Sequence, residues 1–329
     1  MTRIAVVGAG LAGLVAARRL NDSAEVTVFE KSRGVGGRMA TRYAEGFEFD
    51  HGTQFFTART SEFQSFLAPL INAGIVVDWP ATFAELRGST VYATRQWGST
   101  YPHFVGTPGM NAVGKFLARG LEIRLETTVS QVERAADRWQ LLGIAGEDLG
   151  GFDWLVLAAP APQTAVLGGC VPGLVAACDK ASMRACFAVL LGFDKALDLG
   201  WQAALVRDAD ISWISVNSSK PGRTGSTTLV VHSTNAWADG HLEEDTEHLQ
   251  HHLVAELGSV LGRDASTARY SKLHRWRYAN LDRTGGPEYF LDRDLGLAAC
   301  GDWFIRGRVE AAFKSAFGLS GEIQAEISA

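Results

Sequence analysis

The first thirty residues constrain the fold more than any other part of the chain. A short apolar run, residues 4–7, leads into Gly8-x-Gly10-x-x-Gly13, then an apolar helix-like stretch and a second apolar run that ends at Glu30. Strand, glycine turn, helix and strand in this order are typical of a βαβ unit that binds a dinucleotide. Gly8 permits the tight turn, Gly10 lets the backbone approach a pyrophosphate, and Gly13 lets the helix pack on the strand.

Glu30 follows the first glycine at about the twenty-residue spacing of the ribose-binding acid. A carboxylate there accepts hydrogen bonds from both ribose hydroxyls and repels a 2′-phosphate, which predicts a nucleotide unphosphorylated at that position. The next residues, 31–42, contain three glycines and three arginines. Arg38 is predicted to clamp a phosphate. An ordinary glycine-rich βαβ turn and a solvated basic loop are the alternatives.

The C-terminal stretch carries the second strong signal. An apolar segment, residues 295–300, ends in Gly301-Asp302, and a helix is predicted to start near Val309. Asp302 is suited to hold a ribityl chain or the edge of a pyrophosphate, and the N–H groups of the helix start can stabilise negative charge on a flavin ring. A ligand bound by both ends of the chain indicates FAD rather than NAD; a closing βα unit without a ligand is the alternative.

Bulk composition narrows the function classes. At 329 residues the chain is long enough for two domains, and its formal net charge of −5 offers no basic field for nucleic acid. No stretch reaches the roughly 20 apolar residues of a membrane-spanning helix, and the first apolar run ends in the glycine turn, so we expect neither a signal peptide nor membrane association. The four cysteines form no Cys-x-x-Cys pair, which favours reduced packing residues in a cytoplasmic protein.

The middle of the chain has a different pattern of apolar residues from its ends. Alternating apolar runs predict strands, and a long helix is predicted at about residues 243–261. The helix carries three histidines, His248, His251 and His252. Because no cysteine or carboxylate matches them at ligand spacing, we predict a solvated face rather than a metal site. Asp50 and His51 are an alternative acid–base pair, although a histidine beside a strand end more often forms structural hydrogen bonds.

Strand-like segments at 121–129 and 152–160 return the chain to the nucleotide-binding domain. We therefore predict an α/β fold in which a Rossmann-like FAD-binding domain, with a mostly parallel sheet, carries an inserted α+β substrate domain on a mainly antiparallel sheet. The predicted FAD-binding domain is discontinuous and comprises residues 1–57, 105–163 and 290–329. The predicted substrate domain comprises residues 58–104 and 164–289.

Together these motifs resemble the amine-oxidase-like superfamily of two-domain FAD proteins. The shared motifs are Gly8-x-Gly10-x-x-Gly13 with Glu30, Gly36-Gly37-Arg38 and Gly301-Asp302. More narrowly, the chain is similar to the renalase family over its whole length. The segments that carry this likeness are 38–42, 50–56, 274–279 and 301–316.

The resemblance implies an activity. Renalases oxidise the 1,2- and 1,6-dihydro isomers of β-NAD(P) to NAD(P)⁺ by hydride transfer to N5 of non-covalently bound FAD, and O2 is reduced to H2O2. Aromatisation of the nicotinamide drives the loss of hydride, so the site must mainly stack and orient the ring. An amine oxidase or desaturase on the same scaffold and a flavoprotein that binds FAD without turnover are the alternatives. An NAD-dependent dehydrogenase is disfavoured by the C-terminal flavin anchor.

The resemblance also implies which residues bind each partner. The implied FAD residues are Gly8, Gly10, Ala12, Gly13, Glu30, Lys31, Gly37, Arg38, Gln54, Phe55, Val129, Gly301, Asp302 and Val309. Among them, Val129 pairs its backbone with the adenine. The favoured substrate residues are Phe56, Thr57, Ala58, Gln96, Trp97, Trp276 and Arg308. Trp276 and Arg277 are alternatively packing residues, and no catalytic acid or base and no metal ligand is predicted.

Overall fold

The computed structural model describes residues 1–98 and 100–328. Helices α1 to α8 span, in chain order, Leu11–Leu20, Ser61–Asn72, Ala112–Leu117, Ala161–Leu167, Pro172–Cys178, Asn235–Gly240, Thr246–Leu261 and Val309–Ser328. Strands β1 to β10 span Arg3–Val7, Glu25–Phe29, Thr41–Ala44, Phe47–Asp50, Val76–Asp78, Thr82–Arg87, Thr90–Gln96, Phe104–Gly106, Glu122–Arg124 and Val129–Ala135. Strands β11 to β20 span Arg138–Gly143, Asp148–Phe152, Trp154–Leu157, Ser182–Gly192, Ala203–Arg207, Ile211–Val216, Thr228–Ser233, Tyr270–Arg283, Phe290–Asp292 and Leu297–Ala299.

The chain divides into two compact units. The first unit comprises Met1–Met39, Val113–Met183 and Leu281–Ala329, and the second comprises Ala40–Ala112 and Arg184–Asn280. Among the helices that residues 1–98 and 100–328 form, none combines the length and apolar content that crossing a membrane requires.

The first unit is built on a six-stranded sheet in the order β19-β20-β13-β1-β2-β9. All its neighbouring strands run parallel except β19, which pairs antiparallel with β20. The chain enters the sheet at β1 and places β2 on one side and β13 on the other. The carboxyl end of β1 is therefore the point where the strand order reverses, which is where open α/β sheets bind ligands. The Rossmann-like prediction is confirmed.

The predicted strand over residues 121–129 is wrong in its second half. The strand ends at Arg124, and the chain turns through Glu126, which has a φ of +52°. Val129 opens β10 instead, in a three-stranded antiparallel sheet with β11 and β12. Apolar and polar residues alternate in the sequence up to Glu126, past the end of β9, so alternation does not reveal where the strand stops.

The second unit is built on a seven-stranded, mostly antiparallel sheet in the order β18-β14-β17-β16-β15-β6-β7. Helix α7 covers one face, where Leu249, Leu253 and Leu257 join a core with Phe187 and Ile214. The helix begins at Thr246 rather than at 243, since the Asp245 carboxylate accepts the N–H groups of Glu247 and His248 and so caps it.

The unit boundaries differ from the predicted domain boundaries at each junction. The hairpin β3–β4 and residues 105–112 lie in the second unit, whereas residues 164–183 and 281–289 lie in the first. The hairpin belongs to the second unit because Phe47 and Phe49 pack against Leu190 of its large sheet. Residues 164–183 belong to the first because α5 buries Leu174 in the core beneath β13.

Candidate active site

The glycine turn after β1 is fixed by backbone packing in the first unit. A Cβ at Gly13 would lie 1.9 Å from the carbonyl oxygen of Gly8, and a Cβ at Gly8, whose φ is +108°, would lie 2.9 Å from the carbonyl oxygen of Ala158. Gly10 differs, because a Cβ there would have no atom of the described protein within 4 Å. Packing therefore explains Gly8 and Gly13, while Gly10 leaves open space at the start of α1, where a pyrophosphate fits.

Glu30 is a buried carboxylate that organises this turn. One of its oxygens accepts the N–H of Ala9 at 2.8 Å, and the other accepts the N–H of Ser32 at 2.8 Å. Each oxygen keeps a second lone pair, so the carboxylate can still accept from a ribose hydroxyl. Sequence reasoning predicted the ribose role and missed this structural one.

A second glycine loop packs directly on the first. The N–H of Gly36 donates to the carbonyl of Ala9 at 2.8 Å, and a Cβ at Gly37 would lie 3.1 Å from the Cα of Gly10. The loop delivers Arg38, whose guanidinium pairs with the Asp302 carboxylate at the other end of the chain. The N-terminal segment with Arg38 and the C-terminal segment with Asp302 therefore meet in the first unit.

The C-terminal segment around Asp302 makes several further contacts. The N–H of Gly301 donates to the hydroxyl of Ser315 on α8 at 3.0 Å, and the carbonyl of Asp302 accepts the N–H of Gly307 at 2.9 Å. Gly307 has a φ of +64° and turns the chain into α8, with exposed Arg308 and half-buried Val309 at the helix start. The predicted FAD residues Ala12, which is buried, and Lys31, which is exposed, flank the two glycine loops.

The open space at Gly10, the remaining acceptor capacity of Glu30 and the Arg38–Asp302 pair fit the two ends of a dinucleotide. A diphosphate suits Gly10 and the start of α1, and a ribose suits Glu30. Arg38 offers a cation to the diphosphate. Val129, which begins β10 and is buried beside Phe29, offers the backbone predicted to pair with an adenine.

In the second unit, the face of the large sheet opposite α7 carries a row of functional side chains. Directly opposed residues point to the same side of a sheet, and the register aligns Trp213 with His232, Ser215 with Ala203, and Phe83 with Arg95. None of these positions belongs to the core under α7. Residues far apart in sequence thus share one surface.

Gln54 lies on this face in a closed network. Its amide nitrogen donates to the carbonyls of Asp50 at 2.6 Å and Gly52 at 2.9 Å, and its amide oxygen accepts from Ser215 at 2.7 Å and from Lys220 at 3.2 Å. Both ends of the Gln54 side-chain amide therefore have protein partners, and its backbone is the part that suits the predicted contact with FAD. The physical reason is that an amide buried in protein must satisfy both of its ends.

Asp50 is the centre of a buried charge cluster. One carboxylate oxygen accepts from the hydroxyl of Thr41 at 2.8 Å and the N–H of Met110 at 2.9 Å, and the other faces Lys220 at 3.3 Å and Arg223. Burial alone would raise the pKa of Asp50, but the two cations outweigh it and hold the pKa below its usual range. Burial lowers the pKa of Lys220 to about 8, against the opposing effect of Asp50.

Three neutral histidines surround this cluster. Burial lowers the pKa of His51 to about 4, of His232 to about 4 and of His274 to about 3, with Arg42 adding to the shift at His51 and His274. The ring of His51 stacks on Trp276 with centroids 5.3 Å apart, and the indole N–H of Trp276 donates to the carbonyl of His51 at 2.8 Å. The Asp50 carboxylate is thus directed at two cations, and the His51 ring is stacked on Trp276.

An aromatic cluster adjoins Gln54. Phe55 lies 4.8 Å from both Trp97 and His103 between ring centroids, and 5.7 Å from Trp213, while Trp97 and His103 stack at 3.8 Å. Phe83 continues the cluster beside Trp97 and Trp213. Phe55, Trp97 and His103 are only half-buried, so part of each ring remains available to a planar ligand.

Arg308 lies in the first unit, and the other predicted substrate residues lie in three settings within the second unit. Phe56 is buried and packs on Phe104 and Phe63, Ala58 is buried and Thr57 half-buried. Gln96 is exposed and donates to the hydroxyl of Thr82. Trp276 packs on His51, and Arg277 is exposed and paired with Glu243. Of the predicted substrate residues, Trp97 is the one in the aromatic cluster.

Sequence reasoning missed Trp213, Ser215, Lys220 and Arg223. Trp213 and Ser215 alternate along a strand, which marks them as one face but gives no hint of its function. Lys220 lies in a polar turn, the usual place of a solvated lysine, and its carboxylate partner is 170 residues away. No local pattern predicts such a pair.

Comparison with known proteins agrees with this geometry. A family model for NAD(P)-binding Rossmann-like domains matches residues 6–70, and a model for flavin containing amine oxidoreductases matches residues 59–316. The chain is 24% identical to renalase of Mus musculus over 97% of its own length and 98% of the relative's.

Solved structures share the fold at low identity. A structure of a "Putative protoporphyrinogen oxidase" from Exiguobacterium sp. 255-15 superposes with a TM-score of 0.79 at 16% identity, covering 99% of each chain. Wild-type putrescine oxidase bound to putrescine superposes with a TM-score of 0.72 at 13% identity, covering 98% of this chain and 99% of the other. With most of its length matched by the family model, the chain belongs to the flavin containing amine oxidoreductases, and FAD is its cofactor.

Proposed function

We propose that this flavoprotein oxidises the 1,2- and 1,6-dihydro isomers of β-NAD(P) to NAD(P)⁺, with O2 reduced to H2O2. The whole-length likeness to renalase supports the proposal, in agreement with the narrow sequence motifs. When bound, FAD would supply the two-electron acceptor for this reaction. The free cysteines, of which Cys178, Cys186 and Cys300 are buried, suit the reducing cytoplasm proposed as its location.

The aromatic cluster around Phe55 and Trp97 is the observation that carries the proposal. A dihydronicotinamide loses hydride to become aromatic, so no side chain has to remove a proton from the ring. Two carboxylates of the second unit are held by cations: Asp50 by Lys220 and Arg223, and Glu85 by Arg95 at 3.4 Å. What the chain offers is flat apolar surface that can hold and orient a ring, which is catalysis by proximity.

An amine oxidase or desaturase is the second candidate. The shared fold with putrescine oxidase favours it. Aromatic rings attract an alkylammonium as well as a neutral planar ring, so the aromatic cluster is compatible with both candidates. Asp50 and Glu85 already have cation partners, which favours the neutral ring.

Anaerobic mixing separates the two candidates. The purified protein with its FAD is mixed without oxygen with 1,2-dihydro-NAD, 1,6-dihydro-NAD or putrescine, and the flavin absorbance is followed. We expect rapid bleaching with at least one dihydronicotinamide and none with putrescine. Bleaching by the amine alone would establish the second candidate, and a flavin that none of the three reduces would indicate a protein that binds FAD without turnover.

A further inference from the structure

Lys220 is a fully buried cation with three different partners in the second unit. Its ammonium lies 3.3 Å from a carboxylate oxygen of Asp50, 3.2 Å from the amide oxygen of Gln54 and 5.3 Å from the centre of the Trp79 ring. Neither the family likeness nor the proposed chemistry uses this residue. Burying a lysine is costly unless every donor finds a partner, so its position calls for an explanation.

The ammonium is connected to the rings of Phe55 and Trp97 through two of its contacts. It donates to Gln54, and Phe55 is the next residue in the chain. Through Trp79 it reaches Trp97, because these two indoles meet edge to face with centroids 5.3 Å apart. Phe55 and Trp97 are themselves 4.8 Å apart. One buried charge is therefore connected to both members of the ring pair.

We propose that Lys220 is a positioning residue that fixes Phe55 relative to Trp97 and so sets the space in which the dihydronicotinamide ring is held. This rests on the proposed function and adds to it the residue that shapes the ring site. The ammonium suits the task because it donates to oxygens and attracts an aromatic face at once. Methionine, which is of similar length, has no N–H to donate to the oxygens of Asp50 and Gln54.

Four groups surround the ammonium and its partner Gln54. Asp50, on β4, provides the counter-charge, and Arg223, in the turn that follows Lys220, shares that carboxylate. His232, on β17, faces the same space and is kept neutral by burial. Ser215 donates a hydrogen bond of 2.7 Å to the same amide oxygen of Gln54 that accepts from Lys220. With Lys220 removed, that oxygen keeps only the Ser215 hydroxyl, and Trp79 loses its cation.

The test compares Lys220→Met with the matched control Lys272→Met, which makes the same change at an exposed position of the same unit. Both proteins are purified with FAD. The limiting rate of anaerobic flavin reduction by a dihydro-NAD isomer, the Kd for NAD⁺ and the near-ultraviolet circular dichroism of the aromatic residues are measured well below the melting temperature. For Lys220→Met we expect full flavin content, an altered aromatic signal, and a limiting rate about ten- to a hundredfold lower, since small misplacements of a reacting ring have effects of this size.

A conservative variant keeps the test decisive if the methionine protein is unstable. Lys220→Arg retains the charge, and we expect it to recover part of the rate and of the aromatic signal. A stable Lys220→Met protein with an unchanged rate, Kd and aromatic signal would overturn the positioning role, even if its melting temperature falls. If the wild type is not reduced by any dihydronicotinamide, the proposed function fails instead, while the aromatic signal still shows whether Lys220 orders the two rings.

Discussion

Glu30 in the first unit and Asp50 in the second are buried carboxylates beside the candidate sites, and they are satisfied in opposite ways. Glu30, in the first unit, accepts N–H groups from Ala9 and Ser32, which lie 21 and 2 residues away in the chain. Asp50, in the second, is held by Lys220 and Arg223, which lie 170 and 173 residues away. The partners of Glu30 are backbone groups of one βαβ unit, whereas the partners of Asp50 are side chains that only the complete fold brings together.

The comparison predicts different responses to mutation. A site made of backbone fails when the backbone can no longer pack, whereas a site made of paired charges fails when one partner is removed. We make four predictions, from the largest expected effect to the smallest.

Gly13→Ala should abolish flavin binding and destabilise the first unit, because the added Cβ would lie 1.9 Å from the Gly8 carbonyl oxygen. Gly10→Ala provides the matched variant, since its Cβ would have no described protein atom within 4 Å. We expect Gly10→Ala to fold normally but to hold FAD less tightly. Flavin content after purification and far-ultraviolet circular dichroism distinguish the two. Normal flavin content in Gly13→Ala would contradict the backbone origin of this site.

Asp50→Asn should lower the free energy of unfolding by about 3–5 kcal/mol, the usual result of leaving buried charges without their partner. Lys220 and Arg223 would then lie buried without a counter-charge. Urea unfolding followed by tryptophan fluorescence measures the change. Asp194→Asn removes a carboxylate from an exposed pair with Arg269 and should have no measurable effect. Equal stability of the two variants would show that the buried cluster contributes nothing.

Acid should destabilise the second unit through its histidines. Because the pKa values of His51, His232 and His274 in the folded protein lie near 4, 4 and 3, below the usual 6.5, the unfolded chain binds more protons between these values. Their contribution to stability is complete above pH 6.5 and falls as the pH is lowered towards 4. Melting temperatures measured from pH 7 to 4.5 should decline, and less steeply in His274→Phe. A flat profile would mean that these rings are not buried neutral.

Arg277→Gln should change neither melting temperature nor flavin content, because Arg277 forms an exposed pair with Glu243. The alternative is that Arg277 forms part of the wall of the substrate site. A clear rise in the KM for a dihydronicotinamide would support that alternative.

The same contrast explains how much could be predicted from the sequence. The fold class, the glycine turn and the place of Glu30 follow from short-range spacing, because each depends on residues within one βαβ unit. The turn at Glu126 and the closed network of Gln54 could not be predicted, since alternation does not reveal where a strand stops or which partner an amide will find. The role of Lys220 could not be predicted for the same reason, because it depends on Asp50 and Trp79, which only the fold brings close.

The most direct test of which unit binds FAD and which binds the nicotinamide ring is a crystal structure of the purified protein soaked with NAD⁺. We expect FAD with its diphosphate beside Gly10 and a ribose at Glu30, and the nicotinamide ring of NAD⁺ against Phe55 and Trp97. NAD⁺ bound at Gly10 and Glu30 in place of FAD, or a nicotinamide ring bound away from the aromatic cluster, would contradict it.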